Sequence, residues 1–351
     1  MVRDVVFATP GDLETATGGY IYDRRVVLGL RALGWRTEAF NLGEGFPFPS
    51  GATRAAAWGQ LTALPAGQLT VIDGLALGAL PEVAAEICTS HRLIALVHHP
   101  LALEEGLSPT DAEAFRVSER RALACARRVV VTSAFTGRLM VSDYGVQLDR
   151  MAIVKPGTDR ATRARVNNTG APVELLAVGA VTPRKGYDIL LAACALVLDL
   201  PWRLTIVGDL GRDSDAAARL EVDVARLNLC DRVLVTGTIP ADRLASLYAN
   251  ADLFVLASHF EGYGMAFAEA IAHGLPVIGT TAGAIPETVP PNAGVLTPPG
   301  DIRAFSAALR RLIQDTCERH RLAAVAWANA NTLSTWEQAA EQFSHVIETV
   351  A

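Results

Sequence analysis

The chain has 351 residues, of which 50% are hydrophobic and 19% charged, so it is long enough for two globular domains with sizeable cores. Its formal net charge is −6 and neither half is basic, which argues against nucleic acid as the principal partner. No run of 18 uninterrupted apolar residues occurs. The sequence therefore predicts no membrane span and at most peripheral membrane contact.

The cysteines and the N-terminus indicate a cytoplasmic protein. The five cysteines are scattered without a C-x-x-C pair, which predicts reduced thiols and neither a disulfide framework nor a zinc site. They are Cys88, Cys125, Cys194, Cys230 and Cys317. The segment Met1–Phe7 is predicted to be a strand and not a signal peptide, because its apolar run is short and contains Asp4.

The first half alternates short apolar runs with longer helical patterns, which is typical of a parallel α/β sheet. The predicted strands are Val2–Thr9, Thr37–Asn41, Leu69–Asp73, Leu93–Val97, Arg128–Thr132 and Met151–Val154. The predicted helices are Tyr20–Leu33, Ala55–Leu64, Gly78–Cys88, Asp111–Ala126 and Ala134–Tyr144. The polar segment Arg160–Ala171 is interpreted as an interdomain linker.

The second half repeats this alternation. Its predicted strands are Val173–Val178, Arg203–Val207, Arg232–Thr236, Leu253–Leu256, Val277–Gly279 and Gly294–Leu296. Its predicted helices are Asp188–Leu198, Asp215–Leu227, Asp242–Ala249, Ala266–His273 and Ile302–Gln314. After Arg319 the chain is predicted to be helical to its end, with a last amphipathic segment that begins at Trp336.

The segment that follows the predicted strand Leu253–Leu256 combines a glycine turn with two carboxylates. Gly262 and Gly264 let the backbone approach a ligand, and the first N–H groups of the next helix favour an anion. Glu261 lies in the turn and Glu269 about 7–8 Å further along the helix, at roughly 1.5 Å per residue. Carboxylates on both sides of a phosphate site suit a sugar nucleotide.

Read on through Ile278, this segment resembles the E-x7-E region of retaining glycosyltransferases with the GT-B fold, and more narrowly their family 4. The resemblance implies an α/β protein with two Rossmann-like domains whose parallel sheets face a central cleft. Residues 1–160 would form the acceptor domain and residues 161–332 the nucleotide-sugar donor domain. A C-terminal helix at about 333–351 would pack back onto the first domain.

A basic turn follows the first strand of the second half. Arg184 and Lys185 stand at a helix entrance, where two cations oppose the helix dipole and an anionic ligand would offset them. The chain has 29 arginines but only two lysines, Lys155 and Lys185. A lysine in such a chain suggests a position that requires a compact ammonium instead of a planar guanidinium. The G-K-[ST] order of a P-loop is absent. The family often has an arginine directly after the first glycine of this segment, where this chain has Ala180.

Two further segments of the second half are similar to the family. Gly283–Glu287 resembles its G-G-x-P-E loop, with Ala284 in place of the second glycine, and Glu287 is also a candidate to cap or brace its helix. Gly237–Pro240 is similar to the segment that meets the nucleotide base. Asp213-Ser214-Asp215 spells D-x-D, but it precedes an Ala-rich helix for which Asp215 makes a good N-cap, so no metal role is expected.

In the first half, a glycine loop and a histidine pair follow predicted strands. Gly18 and Gly19 open the first long helix and can admit a phosphate or sugar to the backbone. His98 and His99 follow a strand as candidates for acid/base or polar contacts, with side chains on opposite faces. His98 aligns best with the family's cleft histidine. A metal site is not expected, because no nearby carboxylate or third histidine has ligand spacing.

The paired arginines Arg120-Arg121 and Arg127-Arg128 are interpreted as a solvated helix face and not as a membrane-facing stripe. Glu113 and Glu119 interrupt the stripe, and the domain is near neutral.

The resemblance implies a soluble, retaining, metal-independent glycosyltransferase of the hexosyltransferase type, with no cofactor. By resemblance, the catalytic residues are His98, Arg184, Lys185 and Glu261, and the donor-binding residues are Gly18, Gly19, Thr238, Ile239, Gly262, Tyr263, Gly264, Met265 and Glu269. The donor would be UDP-, GDP- or ADP-linked, and the acceptor a small molecule, a lipid-linked intermediate or a glycan. Closure about the segment Pro156–Ala171 would exclude water.

Two other functions stay open on the sequence alone. One is a sugar-nucleotide epimerase on the same architecture, and the other is a non-catalytic nucleotide-sugar-binding protein. A dinucleotide dehydrogenase is disfavoured, because no G-x-G-x-x-G follows the first strand of either half.

Overall fold

The computed structural model describes residues 3–15, 17–104, 106–165 and 171–350. The chain divides into two compact units, the first made of Met1–Gly157 with Ser334–Ala351 and the second of Thr158–Leu333. The first boundary between the units therefore follows Gly157, slightly before the domain boundary at residue 160 predicted from the sequence. Residues 166–170 of the proposed linker lie outside the described residues, as do Val2 of the first predicted strand and Ala16 of the glycine loop.

The first unit contains a six-stranded parallel sheet in the order β2-β1-β3-β4-β5-β6. Its strands are β1 (Asp4–Thr9), β2 (Arg36–Asn41), β3 (Leu69–Asp73), β4 (Arg92–Val97), β5 (Arg128–Val131) and β6 (Met151–Ile153). The helices between them are α1 (Gly18–Ala32), α2 (Gly51–Thr62), α3 (Gly74–Leu77), α4 (Pro81–Ile87), α5 (Pro109–Cys125) and α6 (Ala134–Ser142). The central strands are apolar and buried because helices cover both faces of a parallel sheet.

The second unit contains another six-stranded parallel sheet, in the order β12-β11-β10-β7-β8-β9. Its strands are β7 (Val173–Val178), β8 (Trp202–Val207), β9 (Val233–Val235), β10 (Leu253–Val255), β11 (Val277–Thr280) and β12 (Gly294–Thr297). Its helices are α7 (Tyr187–Ala195), α8 (Ser214–Arg226), α9 (Ala241–Asn250), α10 (Met265–Ala272), α11 (Ile285–Thr288), α12 (Ile302–Gln314) and α13 (Thr316–Asn329). Short 3-10 turns lie at Leu101–Leu103, Leu148–Arg150, Pro183–Lys185 and Ala330–Thr332.

The last helix, α14 (Trp336–Glu348), belongs to the first unit and packs against α1. The Phe7 and Phe343 ring centroids are 5.6 Å apart, and Trp35 Nε1 donates to Ser344 Oγ at 2.8 Å. Among the described residues, none of the helices is both long and apolar enough to cross a membrane.

Three of the predicted elements are wrong in detail. The helix predicted at Gly78–Cys88 is α4, which starts later, at Pro81, because proline favours the first helical position and disfavours a helical residue before it, and Leu80 has φ −127°. The short helix α3, which ends at Leu77, was not predicted. The N-cap of α8 is Asp213 and not Asp215, since α8 already begins at Ser214 and Asp213 Oδ1 accepts from the Ala216 N–H at 2.8 Å.

The third difference concerns the C-terminal region, which is not one continuous helix. The helix α13 starts before Arg319 and ends at Asn329. The helix α14 then starts anew behind a capping box formed by Thr335 and Gln338, which satisfies the first N–H groups of a separate helix.

Candidate functional site

The turn after β7 and the turn after β10 meet where the strand order of the second sheet reverses. The first strand of this unit, β7, pairs with β10 on one side and with β8 on the other. In open α/β sheets, ligands bind at the carboxyl ends of the strands at such a switch point. The structure places the predicted residues Arg184, Lys185 and Glu261 there.

Glu261 forms ion pairs with both predicted cations. Lys185 Nζ lies 2.7 Å from Glu261 Oε1 and Arg184 Nη1 lies 3.4 Å from Oε2. Ser258 Oγ donates a further hydrogen bond to Oε1 at 2.8 Å. We call these four side chains the cation cluster. Its two cations and one carboxylate leave one positive charge in excess, which suits an anionic ligand.

The electrostatics of the cation cluster favour an ionised Glu261. Burial raises its pKa, but the charges of Lys185 and Arg184 and the hydrogen bonds from Lys185 and Ser258 outweigh burial and lower the pKa to about 2. Burial lowers the pKa of Lys185, while the charge of Glu261 raises it and that of Arg184 lowers it. Glu261 therefore carries its charge at neutral pH, and Lys185 is a desolvated ammonium.

Gly186 brings the two turns together. It has φ +64°, a backbone conformation that favours glycine, and a Cβ at this position would lie 2.1 Å from the carbonyl oxygen of Ala257. Nearby, the N–H of His259 donates to the carbonyl oxygen of Arg184 at 2.8 Å. The basic turn thus rests directly on the end of β10, and this contact positions Lys185 beside Glu261.

The N-terminus of α10 follows Glu261 closely in the chain. Its N-cap is Gly264, which has φ +89° and caps the helix with no side-chain hydrogen bond. The predicted residues Tyr263 and Gly264 are buried, while Gly262 and Met265 are partly exposed. The helix begins at Met265, one residue before the predicted start at Ala266. Its first N–H groups and the positive end of the helix dipole lie beside the cation cluster.

Glu269 lies on the same helix and is held by a tyrosine. Tyr248 Oη donates to Glu269 Oε2 at 2.8 Å. The Tyr248 ring stacks on His273 with centroids 5.0 Å apart, and His273 Nδ1 lies 2.9 Å from the carbonyl oxygen of Thr162. Sequence reasoning missed Tyr248 because it comes from α9, and no local motif points to it.

Of the remaining predicted segments of this unit, one contacts the cation cluster and the other follows the edge strand of the sheet. The Gly283–Glu287 loop contacts it, since the Ala284 N–H donates to the carbonyl oxygen of Glu261 at 2.9 Å. Glu287 is exposed within α11. Thr238, which is exposed, and Ile239, which packs partly buried against the core, follow the edge strand β9, two strands away from β7.

The first unit has its own switch point, because β1 pairs with both β2 and β3. There His98 Nε2 lies 3.0 Å from Asp23 Oδ1 and 3.4 Å from Asp73 Oδ2. The predicted glycine loop adjoins this group, since a Cβ on Gly19 would lie 3.3 Å from His98 Cδ2. His99 pairs separately with Glu104.

Sequence reasoning missed Asp23 and Asp73. It found no nearby carboxylate or third histidine with ligand spacing in the sequence, whereas the fold brings these two distant carboxylates to His98. Two signals could have found them. Asp73 ends the apolar strand β3, and Asp23 lies on the buried stripe of α1 together with Tyr20, Val27 and Leu30.

The ligand atoms of Asp23, Asp73 and His98 lie within 4.8 Å of one another, a spacing that a metal ion could also use. A metal would require an unprotonated Nε2. Nε2 lies at ion-pair and hydrogen-bond distance from both carboxylates, while Asp23 Oδ2 is buried without a hydrogen-bond partner among the described residues. Because the carboxylates engage Nε2 itself, we assign no metal to the group.

Comparison with known proteins yields one family. Residues 159–326 match the family model described as "Glycosyl transferases group 1". D-inositol 3-phosphate glycosyltransferase of Thermomonospora curvata is 33% identical over 272 residues, which are 70% of this chain and 62% of the relative. The chain spans only 51% and 57% of the length of the two similarly named relatives from Acidothermus cellulolyticus and Xylanimonas cellulosilytica.

Solved structures resemble the whole chain. Sucrose-phosphate synthase from Thermosynechococcus elongatus has a TM-score of 0.84 at 22% identity and covers 99% of this chain and 98% of its own. Anabaena HepE in complex with UDP and glucose has a TM-score of 0.76 at 20% identity, over 98% and 99% of the two chains. This likeness confirms the predicted α/β fold class, GT-B with two Rossmann-like units. Residues 159–326, just under half of the chain, match the family model of the glycosyl transferases of group 1.

Proposed function

We propose that this protein is a retaining glycosyltransferase that moves a sugar from a nucleotide-diphosphate sugar to an acceptor hydroxyl without a metal ion. The observation that carries the proposal is the cation cluster at the switch point of the second sheet, where Lys185 lies 2.7 Å from Glu261. The family match over residues 159–326 supports the reaction class.

The cation cluster has the chemistry that a leaving diphosphate requires. When the bond between sugar and diphosphate breaks, negative charge develops on the diphosphate oxygens. Arg184, Lys185 and the N-terminus of α10 present positive charge and N–H donors to those oxygens, which is the role a metal ion has in other transferases. Desolvation of Lys185 strengthens its interaction with a phosphate.

The other residues of this unit would orient the donor. Glu261 is ionised, so its carboxylate accepts hydrogen bonds from sugar hydroxyls. Glu269, held by Tyr248, would accept from the ribose hydroxyls. The backbone of Gly262–Met265 would approach the diphosphate, and Thr238 and Ile239 would contact the base.

In the first unit, Gly18, Gly19 and His98 would contact a substrate, and the acceptor would bind to this unit. The similar HepE structure is a complex with UDP and glucose, which makes UDP-linked sugars the first donors to test here. GDP- and ADP-linked sugars follow. Small molecules, lipid-linked intermediates and glycans are the acceptor classes to screen.

The test is ligand stabilisation followed by transfer. A diphosphate that binds the native protein stabilises it by about 2.7 kcal/mol at a hundredfold excess over Kd. We expect one of UDP, GDP, ADP and dTDP to raise the melting temperature equally with and without EDTA, and its sugar conjugate to be turned over. NMR of the product anomer then distinguishes retention from inversion.

Lys185→Ala should abolish the nucleotide-induced shift. Lys155→Ala is the matched control, because Lys155 is the chain's other lysine and is exposed in the first unit. If no diphosphate stabilises the wild-type protein, or if Lys185→Ala binds and transfers normally, the proposed phosphate site is wrong. Conversion of the donor sugar without an acceptor would indicate an epimerase instead.

A further inference from the structure

His98 is the only ion-pair partner that Asp23 and Asp73 have among the described residues. The side chains of Asp23 and Asp73 are 0% and 6% exposed. A buried carboxylate needs a compensating positive charge or hydrogen-bond donors. Asp73 Oδ1 has such a donor in the Leu75 N–H, at 2.7 Å, whereas Asp23 Oδ1 faces the imidazole. The carboxylates therefore favour a positively charged His98.

Packing fixes which edge of the imidazole faces the carboxylates. The Tyr22 ring meets His98 edge-on, with centroids 5.3 Å apart and planes at 79°, and Gly19 lies against the Cδ2 edge of the ring. Tyr22 donates its hydroxyl to the carbonyl oxygen of Val154 at 3.0 Å, so this hydroxyl is engaged elsewhere. Nε2 points at Asp23 and Asp73, while Nδ1 has no hydrogen-bond partner among the described residues and the side chain is 18% exposed.

Among the described residues, the charged groups that act on His98 are carboxylates, and no cation competes with it. The helix α1 contributes Asp23 and Tyr22, and the end of β3 contributes Asp73. The end of β5 contributes Thr132, whose hydroxyl donates to the backbone carbonyl oxygen of His98 at 3.4 Å. The neighbouring His99 has its own carboxylate partner, Glu104.

We propose that Asp23 and Asp73 are positioning residues that hold His98 as an imidazolium at neutral pH, so that its Nδ1–H donates to a ligand oxygen and the side chain does not act as a general base. The hydrogen bond that His98 donates to a ligand rests on the proposed function, but the protonation state of His98 does not. The hydrogen-bond acceptor is an oxygen of a sugar hydroxyl or of a phosphate, since both accept such a bond.

The pKa values of His98 and Asp73 agree with this geometry. Burial lowers the pKa of His98. The charge of Asp23, the hydrogen bonds to Asp23 and Asp73 and the charge of Asp73 outweigh burial and raise this pKa to about 10. Burial raises the pKa of Asp23 to about 7, although the charge of His98 lowers it, so Asp73 is the carboxylate that is fully charged at neutral pH. For Asp73, burial is outweighed by the hydrogen bond and the charge of His98, and its pKa is lowered.

The first test is NMR of the full chain labelled with ¹⁵N at its seven histidines, with His98 assigned by the loss of its signals in His98→Gln. We expect both ring nitrogens of His98 to be protonated from about pH 6 to pH 9, unchanged by EDTA. A His98 that titrates near its ordinary pKa of about 6.5, or a neutral ring whose bare Nε2 accepts from a protonated Asp23, would overturn the proposal. A loss of the imidazolium pattern on adding zinc after EDTA treatment would also overturn it.

The carboxylates are tested by Asp73→Asn and Asp23→Asn. Asp73→Asn keeps a side-chain oxygen to cap α3, so it is the variant expected to fold even where Asp23→Asn does not. Each should weaken proton binding by His98 at least tenfold. Glu104→Gln is the matched control, because it removes the carboxylate partner of the adjacent His99 and should leave His98 unchanged. Proton binding that is unaltered in Asp73→Asn and in a folded Asp23→Asn would contradict the positioning role.

Turnover separates this inference from the proposed function. With a donor identified, kcat/KM should show no loss of activity on the acid side near about pH 6.5, where a neutral histidine base would become protonated. A fall of kcat/KM toward low pH in that range, which disappears in His98→Gln, would contradict the role of His98 as a hydrogen-bond donor. If no sugar nucleotide is turned over, the proposed function fails, and the NMR titration still decides the state of His98.

Discussion

Lys185 Nζ lies 2.7 Å from Glu261 Oε1, and both side chains are largely buried in the second unit. Glu261 Oε1 also accepts from Ser258 Oγ at 2.8 Å, so the carboxylate is held from two directions. An anionic ligand that reaches Lys185 therefore meets an ammonium already paired with a carboxylate. Arg184, which pairs less closely at 3.4 Å, supplies the charge in excess.

Lys185→Ala should cost stability as well as function, because it leaves a buried carboxylate without its nearest cation. We expect a loss of roughly 1–3 kcal/mol, the usual cost of an uncompensated buried polar group. Adding Glu261→Gln should restore part of it, because the neutral amide needs no cation. Urea unfolding of the two single variants and the double variant measures the coupling. Strictly additive losses would show that the pair contributes nothing by itself.

Acid should destabilise the protein through Glu261. The pKa of this group is lowered from 4.5 to about 2 in the folded state, so the unfolded chain binds its proton first. The stability that Glu261 contributes is thus fully present above about pH 4.5 and is lost as the pH falls toward 2. Unfolding free energies measured from about pH 7 to pH 3 should fall less steeply in Glu261→Gln than in the wild type. The exposed Glu287→Gln is the control, and parallel curves for wild type and Glu261→Gln would refute the assignment.

Gly186→Ala should disrupt the site more than it disrupts the fold elsewhere. Alanine at φ +64° costs roughly 1–2 kcal/mol in backbone strain, and its Cβ would also lie 2.1 Å from the carbonyl oxygen of Ala257. Gly300→Ala is a matched control with φ +77° and nothing within 4 Å of the added Cβ. Thermal unfolding should show the larger loss for Gly186→Ala, together with loss of the nucleotide-induced shift. Equal losses and retained nucleotide binding would mean that the close approach to Ala257 does not position the basic turn.

Tyr248→Phe should weaken nucleotide binding through Glu269. It removes the 2.8 Å hydrogen bond that orients the carboxylate, a net contribution of about 0.5–1.5 kcal/mol, so we expect binding to weaken about 2- to 12-fold. Calorimetry with the preferred diphosphate and its 2′-deoxy analogue tests the ribose contact, because the analogue should lose less. Tyr20→Phe, a buried tyrosine in the first unit, is the control and should bind normally. An equal effect on both nucleotides would place Glu269 away from the 2′-hydroxyl.

The sequence alone determined the alternation of strands and helices, the start of α10 at the glycine turn and the basic turn after β7. These features are local, since hydrophobic periodicity, glycine turns and adjacent charges are read from residues close together in the chain. It did not reveal the short helix α3, and it did not place the start of α4 at Pro81, although this proline was a signal for it.

Only the tertiary structure decided which of these side chains share a site. The strands β7 and β10 are neighbours in the sheet, yet Lys185 and Glu261, which follow them, are 76 positions apart in the chain, and nothing local joins the two. The same holds for Asp23, Asp73 and His98, which come from a helix, a strand end and a loop. Parallel strands require long crossovers, so residues at one carboxyl edge are distant in sequence. Burial then makes their charges pair with one another, because no water remains to solvate them.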